Sequence, residues 1–348
     1  MSALLQSDMR RFATVSIAVI FGASSLIAQA PQAIESVPPL PPPFSEWLAV
    51  VRDEAATRGI RPEIIEEAFT GVEPVEQILE RDRAQAEFTL NLESYLRRRL
   101  TRPILKTAQQ MYTEHRTLLT KVGEHYGVSP RVVVAVWGLE SNFGRFAGVR
   151  PTIPTLATLA YDPRRGTMFR NELFNALEIL NRGDIALDQM KGSWAGALGQ
   201  PQFMPSSYLQ FAEDFDGDGR KDIWSSEADV FASVANYLKQ HGWAEGAAWG
   251  REVKLTASAR TAIEKVSLRE AGCRAERALT DPQPLKAWRK MGVRTMAGAP
   301  VPATATEASL IRAGNRSFLL YSNYSAILAY NCANTYALSV ALLSDRIH

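Results

Sequence analysis

The chain has 348 residues, 46% hydrophobic and 22% charged, which suits a globular protein large enough for more than one domain or subdomain. Its 39 basic and 37 acidic residues leave a net charge of +2, which gives no case for nucleic-acid binding. Two cysteines alone make no metal site, and none of the four histidines has zinc-type spacing with another ligand.

At the N-terminus, Arg10 and Arg11 precede a mostly apolar stretch from Phe12 to Ala28, and Ala28-Gln29-Ala30 is a small-x-small cleavage pattern. Residues 1–30 therefore read as an export signal and the protein as periplasmic. An uncleaved membrane anchor is the alternative, since Pro31 is awkward for a signal peptidase. No cysteine lies near this stretch, so a lipid-modified N-terminus is not expected. Residues 31–43 form a proline-rich extended linker.

Residues 44–122 read as an N-terminal helical domain. Trp47, Leu48, Val50 and Val51 make the face of a helix that Gly59 ends. Pro62 starts the next, with Ile64, Ile65, Ala68 and Phe69 as its stripe. Further helical stretches run from Phe88 to Leu96 and from Ile104 to Val122. Between them lies the basic run Arg97-Arg98-Arg99-Leu100-Thr101-Arg102, read either as a solvated helix face or as a contact for an anionic polymer.

Residues 123–250 and 322–348 read as a second helical core, with helices near Phe169–Leu180, Asp229–Gly242 and an amphipathic Ala333–Leu343. Between its parts, residues 251–321 carry β-like runs at Glu252–Leu255, Ser309–Arg312 and Ser317–Tyr321 and read as a small β-containing insertion. The fold class is therefore mainly α, with an α+β insertion. Cys273 and Cys332 either bridge or stay as two buried thiols.

Four segments could carry chemistry. Glu140 ends the apolar run Val132–Leu139, with Ser129 as N-cap, Pro130 as first helical residue and Gly144 as stop. Desolvation and the negative end of the helix dipole would oppose ionisation of its carboxyl, leaving a protonated general acid near neutral pH. The alternative is a structural carboxylate where a core helix surfaces.

The glycine-rich loop Gly192–Tyr208 lets backbone approach a ligand closely. There Ser193 and Gln202 offer hydrogen bonds, and Trp194, Phe203 and Tyr208 offer surfaces that stack on sugar rings. A packed interhelical loop is the plainer reading. Tyr321, Tyr324, Tyr330, Asn331 and Tyr336 suit either a polyol or amide-bearing polymer, or a core.

Asp214–Asp222 resembles the first nine positions of an EF-hand loop. Asp214, Asp216 and Asp218, the carbonyl of Arg220, and Asp229 or Glu227 from further along would hold a structural Ca2+. Ser225 stands where the bidentate glutamate belongs. An Asp/Gly turn without metal is the alternative.

Taken together, these pieces resemble the lytic murein transglycosylases of the B type. The resemblance rests on Gly138-Leu139-Glu140-Ser141-Asn142-Phe143-Gly144-Arg145, Gly192–Tyr208, Asp214–Trp224, Ser233-Val234-Ala235-Asn236-Tyr237, and Tyr330-Asn331 followed by Tyr336. It implies a lysozyme-like helical core and cleavage of the β-1,4 MurNAc–GlcNAc bond of peptidoglycan, leaving 1,6-anhydromuramic acid ends. Glu140 would act as acid, then base, with no catalytic cofactor. Ser193 and Gln202 would orient the substrate and Glu140, while Phe203, Tyr237, Tyr330, Asn331 and Tyr336 would line the cleft. Glycan strands are the expected partner, alongside other periplasmic cell-wall enzymes, with the protein a monomer. A lysozyme-type hydrolase and a non-catalytic peptidoglycan-binding scaffold are the competing readings.

Overall fold

The computed structural model describes residues 42–85 and 92–348. The export-signal reading, nearly all of the proline-rich linker and the start of the expected Phe88 helix lie outside the described residues.

The N-terminal helices are α1 (Phe44–Thr57), α2 (Pro62–Phe69), α3 (Glu76–Gln85), α4 (Leu92–Arg99), α5 (Arg102–Glu114) and α6 (Arg116–Tyr126). In α1 the buried stripe is Leu48, Val51 and Ala55. Val50, expected on that face, is 59% exposed because it sits to one side of the 3.6-residue stripe. The single helix expected from Ile104 to Val122 is two, interrupted at His115. Its ring there meets Trp137 and Phe231 edge-on.

At the centre is α7 (Pro130–Ser141), buried at every position from Val132 to Leu139. A helix apolar all round is a core helix. It packs against α5, α6, α11 (Glu227–Gln240) and α15 (Asn334–Ser344). The amphipathic character expected of the last helix is absent: α15 is buried from Tyr336 to Ser344, because α7 and α4 cover it. Helices α8 (Thr152–Tyr161), α9 (Gly166–Arg182) and α10 (Pro205–Phe211) complete this body, with α14 (Ser322–Tyr330) leading into α15. A two-residue ladder joins β1 (Arg150–Pro151) to β2 (Lys191–Gly192). The N-terminal helices and α7 share one buried apolar cluster.

The expected β runs form an antiparallel five-stranded sheet in the order β4-β6-β7-β3-β5. Its strands are β3 (Gly250–Leu255), β4 (Gln283–Pro284), β5 (Val293–Thr295), β6 (Glu307–Ala313) and β7 (Arg316–Leu320). With α12 (Ala257–Ile263) and α13 (Leu285–Met291) they enclose a second cluster around the fully buried Trp288. The loop after α12 crosses back: Ala275 and Leu279 join the large helical cluster. There Cys273 and Cys332 form a disulfide across 59 residues, tying that loop to the α14–α15 turn. Among the described residues, no single helix is long and apolar enough to cross a membrane.

Candidate active site

The site begins where α7 ends. Pro130 occupies the first turn, but the Ser129 side chain makes no capping bond. The helix stops earlier than Gly144, at Asn142 (φ 51°), and Phe143 (φ 59°) and Gly144 (φ 77°) continue in the left-handed region. Asn tolerates that conformation and Gly prefers it, whereas Phe143 is strained. What holds the hook is visible. The Ser141 hydroxyl donates to the Trp137 carbonyl (2.9 Å) and accepts from the Gly144 N–H (3.0 Å). The Phe143 ring folds back onto Gly138, where a Cβ would lie 2.4 Å from ring carbon Cε1. Gly138 is therefore small because the hook occupies the space of its side chain. Together these leave Glu140 in the last helical turn, half-buried, at the mouth of a core helix.

Glu140 borders a cavity of about 410 Å3 that is also lined by Arg98, Arg99, Asn142 and Phe146. Among the described residues, Glu140 is the one carboxylate on that lining. Burial pushes its pKa up to about 7, against the opposing pull of the Tyr336 hydroxyl and the Arg99 guanidinium. The Tyr336 hydroxyl is buried and falls short of full hydrogen-bond geometry with any partner. Burial and the neighbouring Glu140 raise the pKa of Tyr336 in turn, so it stays a neutral phenol.

The sequence-distant tyrosines meet here. Tyr336 stacks on Tyr330 (6.4 Å, 16°), and Tyr330 packs against Tyr237 and Phe203 (4.7 and 5.8 Å). The hydroxyls of Tyr330 and Tyr237 donate to the Pro201 and Ala329 carbonyls, each at 2.8 Å, which locks both rings. Phe203 is buried and supports the tyrosines, whereas Asn331 is exposed on the turn after α14. Tyr324 and Tyr321 do not join this row: Tyr324 bonds Asn334, and the Arg251 guanidinium lies over the Tyr321 ring.

The glycine-rich loop packs against the hook. Buried Gln200 accepts from the Trp137 indole (2.6 Å) and donates to the Trp224 carbonyl (2.8 Å). Gly199 has φ 61°, and a Cβ there would strike the Ile223 carbonyl at 2.6 Å. Ser193 accepts from the Ala195 and Ala197 N–H groups, and Gln202 donates to the Gly199 carbonyl (2.8 Å). Neither is hydrogen-bonded to Glu140; both are half-buried members of the loop's own network. Gln200 escaped sequence reasoning because nothing marked its indole partner, far away along the chain. Arg99 was only part of a basic run, and the exposed Phe146 carried no signal.

The aspartate loop joins α10 to α11. Carboxylate oxygens of Asp214, Asp216 and Asp229 lie within 4.8 Å of one another. Asp218 turns away, accepting from the Arg220 N–H (2.8 Å). Asp229 is fully buried. Burial first, then the neighbouring Asp216 and Asp214, raises its pKa. Ser225 donates to Asp222 instead of facing the cluster. The three converging carboxylates fit a hard cation with oxygen ligands, which would relieve their repulsion. Chelator is therefore expected to lower the melting temperature relative to calcium by about 5 °C, in a thermal melt with excess metal. Identical melts would count against the site.

A model of the transglycosylase SLT domain family matches residues 43–345. Over 263 residues the chain is 31% identical to membrane-bound lytic murein transglycosylase B of Escherichia coli K12, an alignment spanning 73% of this chain and 66% of that protein. SltB3 of Pseudomonas aeruginosa, solved in complex with NAG-anhNAM-pentapeptide, superposes with a TM-score of 0.79 and 40% identity, covering 87% of this chain and 78% of that one. The Escherichia coli lytic transglycosylase Slt35 in complex with calcium gives 0.72 and 25% identity, covering 87% and 92%.

Proposed function

We propose a function from one premise: the chain belongs to the transglycosylase SLT domain family. The protein is a peptidoglycan lytic transglycosylase that cleaves the MurNAc–GlcNAc bond and leaves 1,6-anhydromuramic acid ends. One observation carries the assignment of chemistry. Glu140 is a carboxyl with its pKa near 7 on a cavity that offers no second carboxylate among the described residues.

Glycosidases with two carboxylates use one to protonate the leaving oxygen and the other as nucleophile or base. With a single group, acid and base must be the same residue at successive moments. Protonated Glu140 gives its proton to the glycosidic oxygen as the C–O bond breaks. The carboxylate formed takes the proton of the muramoyl 6-hydroxyl as that oxygen bonds to the anomeric carbon. The residue ends as it began, and no water is consumed. Arg99 and Tyr336 favour the transient carboxylate, while burial favours the acid; the balance near neutrality serves both steps.

Tyr237, Tyr330, Asn331 and Tyr336 line the glycan's path, with Phe203 behind them, and Ser193 and Gln202 orient the sugar. Asp214, Asp216 and Asp229 would hold Ca2+ as a structural ion between α10 and α11; catalysis needs no cofactor. The protein acts as a periplasmic monomer, exported by its N-terminal segment, on glycan strands that it shares with other cell-wall enzymes.

Mass spectrometry of products released from purified peptidoglycan tests the reading. Anhydromuropeptides support it; reducing ends would make the protein a hydrolase, and no products would leave a binding scaffold. The acid must start protonated, so kcat/KM is expected to fall about tenfold per pH unit above pH 7. A profile flat to pH 9 would contradict the role of Glu140.

A further inference from the structure

The last turn of α4 carries three consecutive arginines with different surroundings. Arg97 pairs with Glu93 one turn back (3.1 Å). Arg98 and Arg99 instead line the cavity of Glu140, and neither has a carboxylate within ion-pair distance among the described residues. Arg99 is held in place: Nε donates to the Tyr95 hydroxyl (3.3 Å), Nη2 reaches the Leu139 carbonyl (3.4 Å), and the guanidinium lies 5.8 Å from the Tyr95 ring centre. The same cavity is lined by Asn142 and Phe146, an aromatic residue left 63% exposed.

Two adjacent cations that form no ion pair repel each other, and a positive cleft wall attracts an anion. Guanidinium presents paired N–H donors that match a carboxylate's two oxygens. The exposed ring and the amide suit the apolar and amide parts of a peptide.

We propose that Arg98 and Arg99 form a wall that recognises a carboxylate of the muramoyl unit, carried either by its stem peptide or by its lactyl group. This rests on the peptidoglycan reading above and deepens it. The wall selects strands by what the muramic acid bears, beside the bond that Glu140 cleaves. An incoming carboxylate would also offset the Arg99 charge that opposes protonation of Glu140, so recognition favours the acid form needed for the first step.

The test is calorimetric binding to Glu140→Gln protein, which cannot turn substrate over, with and without Arg98→Gln. Three disaccharides are compared: the GlcNAc–MurNAc pentapeptide, the same molecule with its carboxylates converted to carboxamides, and the peptide-free form with a free lactyl carboxylate. Arg98→Gln is expected to weaken a carboxylate-bearing ligand about tenfold and leave the carboxamide ligand within about twofold. Arg98→Lys, which keeps the charge, should recover part of the loss.

A loss confined to the pentapeptide places the recognised carboxylate on the stem. A loss confined to the peptide-free form places it on the lactyl group. Equal losses for carboxylate and carboxamide ligands, no loss, or no binding of the pentapeptide disaccharide at all would overturn the proposal. Failure of the function reading would show separately, as absent anhydro products from the wild-type enzyme.

Discussion

Glu140→Gln is expected to lower kcat by about a thousandfold or more, the range lost when a positioned general acid is removed. Glutamine fills nearly the same volume at the end of α7 but can neither give a proton to the glycosidic oxygen nor take one from the 6-hydroxyl. Both halves of the reaction pass through this group, so no partial function should remain. The mutant should fold normally.

Its stability should also respond differently to pH. The Glu140 carboxyl is raised from 4.5 to about 7 in the folded chain, so the folded state binds more protons than the unfolded state between those values. Its contribution is therefore present below 4.5 and lost as pH rises towards 7. Glu140→Gln should flatten that part of the stability curve. Anhydromuropeptide release by the mutant at a rate near wild type would remove Glu140 from the mechanism.

Removing the Cys273–Cys332 bridge is the second large effect. Closing 59 residues in the unfolded chain corresponds to about 4 kcal/mol on the loop-entropy account. The bridge lies where the loop after α12 meets the turn between α14 and α15. That contact is otherwise held by Asn334, which donates to the Ala275 carbonyl (2.8 Å), and by burial of Ala275 and Leu279. The turn bears Tyr330 and Asn331 on one side and Tyr336 on the other. The double variant Cys273→Ser/Cys332→Ser is therefore expected to melt several degrees lower. It should also show a raised KM, as the tyrosine row loses its fixed spacing. Denaturant melts and steady-state kinetics on peptidoglycan decide it. An unchanged midpoint with an unchanged KM would mean that packing alone holds the turn.

Several features were legible in the chain itself. An all-apolar run ending in one glutamate can only be a core helix delivering a carboxyl to a surface, because eight buried positions leave no solvent face. Short β-like runs with prolines and glycines between them marked the sheet, and acidic residues at alternate positions around Gly217 and Gly219 marked the loop of Asp214 and Asp216. Local patterns such as these depend on neighbours in sequence, and the backbone obeys them.

Other features depended on contacts that no local pattern encodes. The last helix looked amphipathic, yet it is buried all round because α4 and α7 close over it. Ser129 looked like a cap, but its side chain is not used as one. Asn142, not Gly144, ends α7, because the Ser141 hydroxyl and the packing of Phe143 over Gly138 stabilise left-handed residues ahead of the glycine.

By itself, the sequence determined which segments are apolar or polar, and through their periodicity where the main helices and the strands of the insertion lie. It marked Glu140 through the contrast between one carboxyl and its apolar surroundings. Only the tertiary structure decided that Tyr336 from α15 and Arg99 from α4 converge on that carboxyl, and that burial outweighs both to set its pKa near 7. The reason is physical. Helix and strand propensities act over a few residues, whereas desolvation and charge depend on which distant segments pack within a few ångströms.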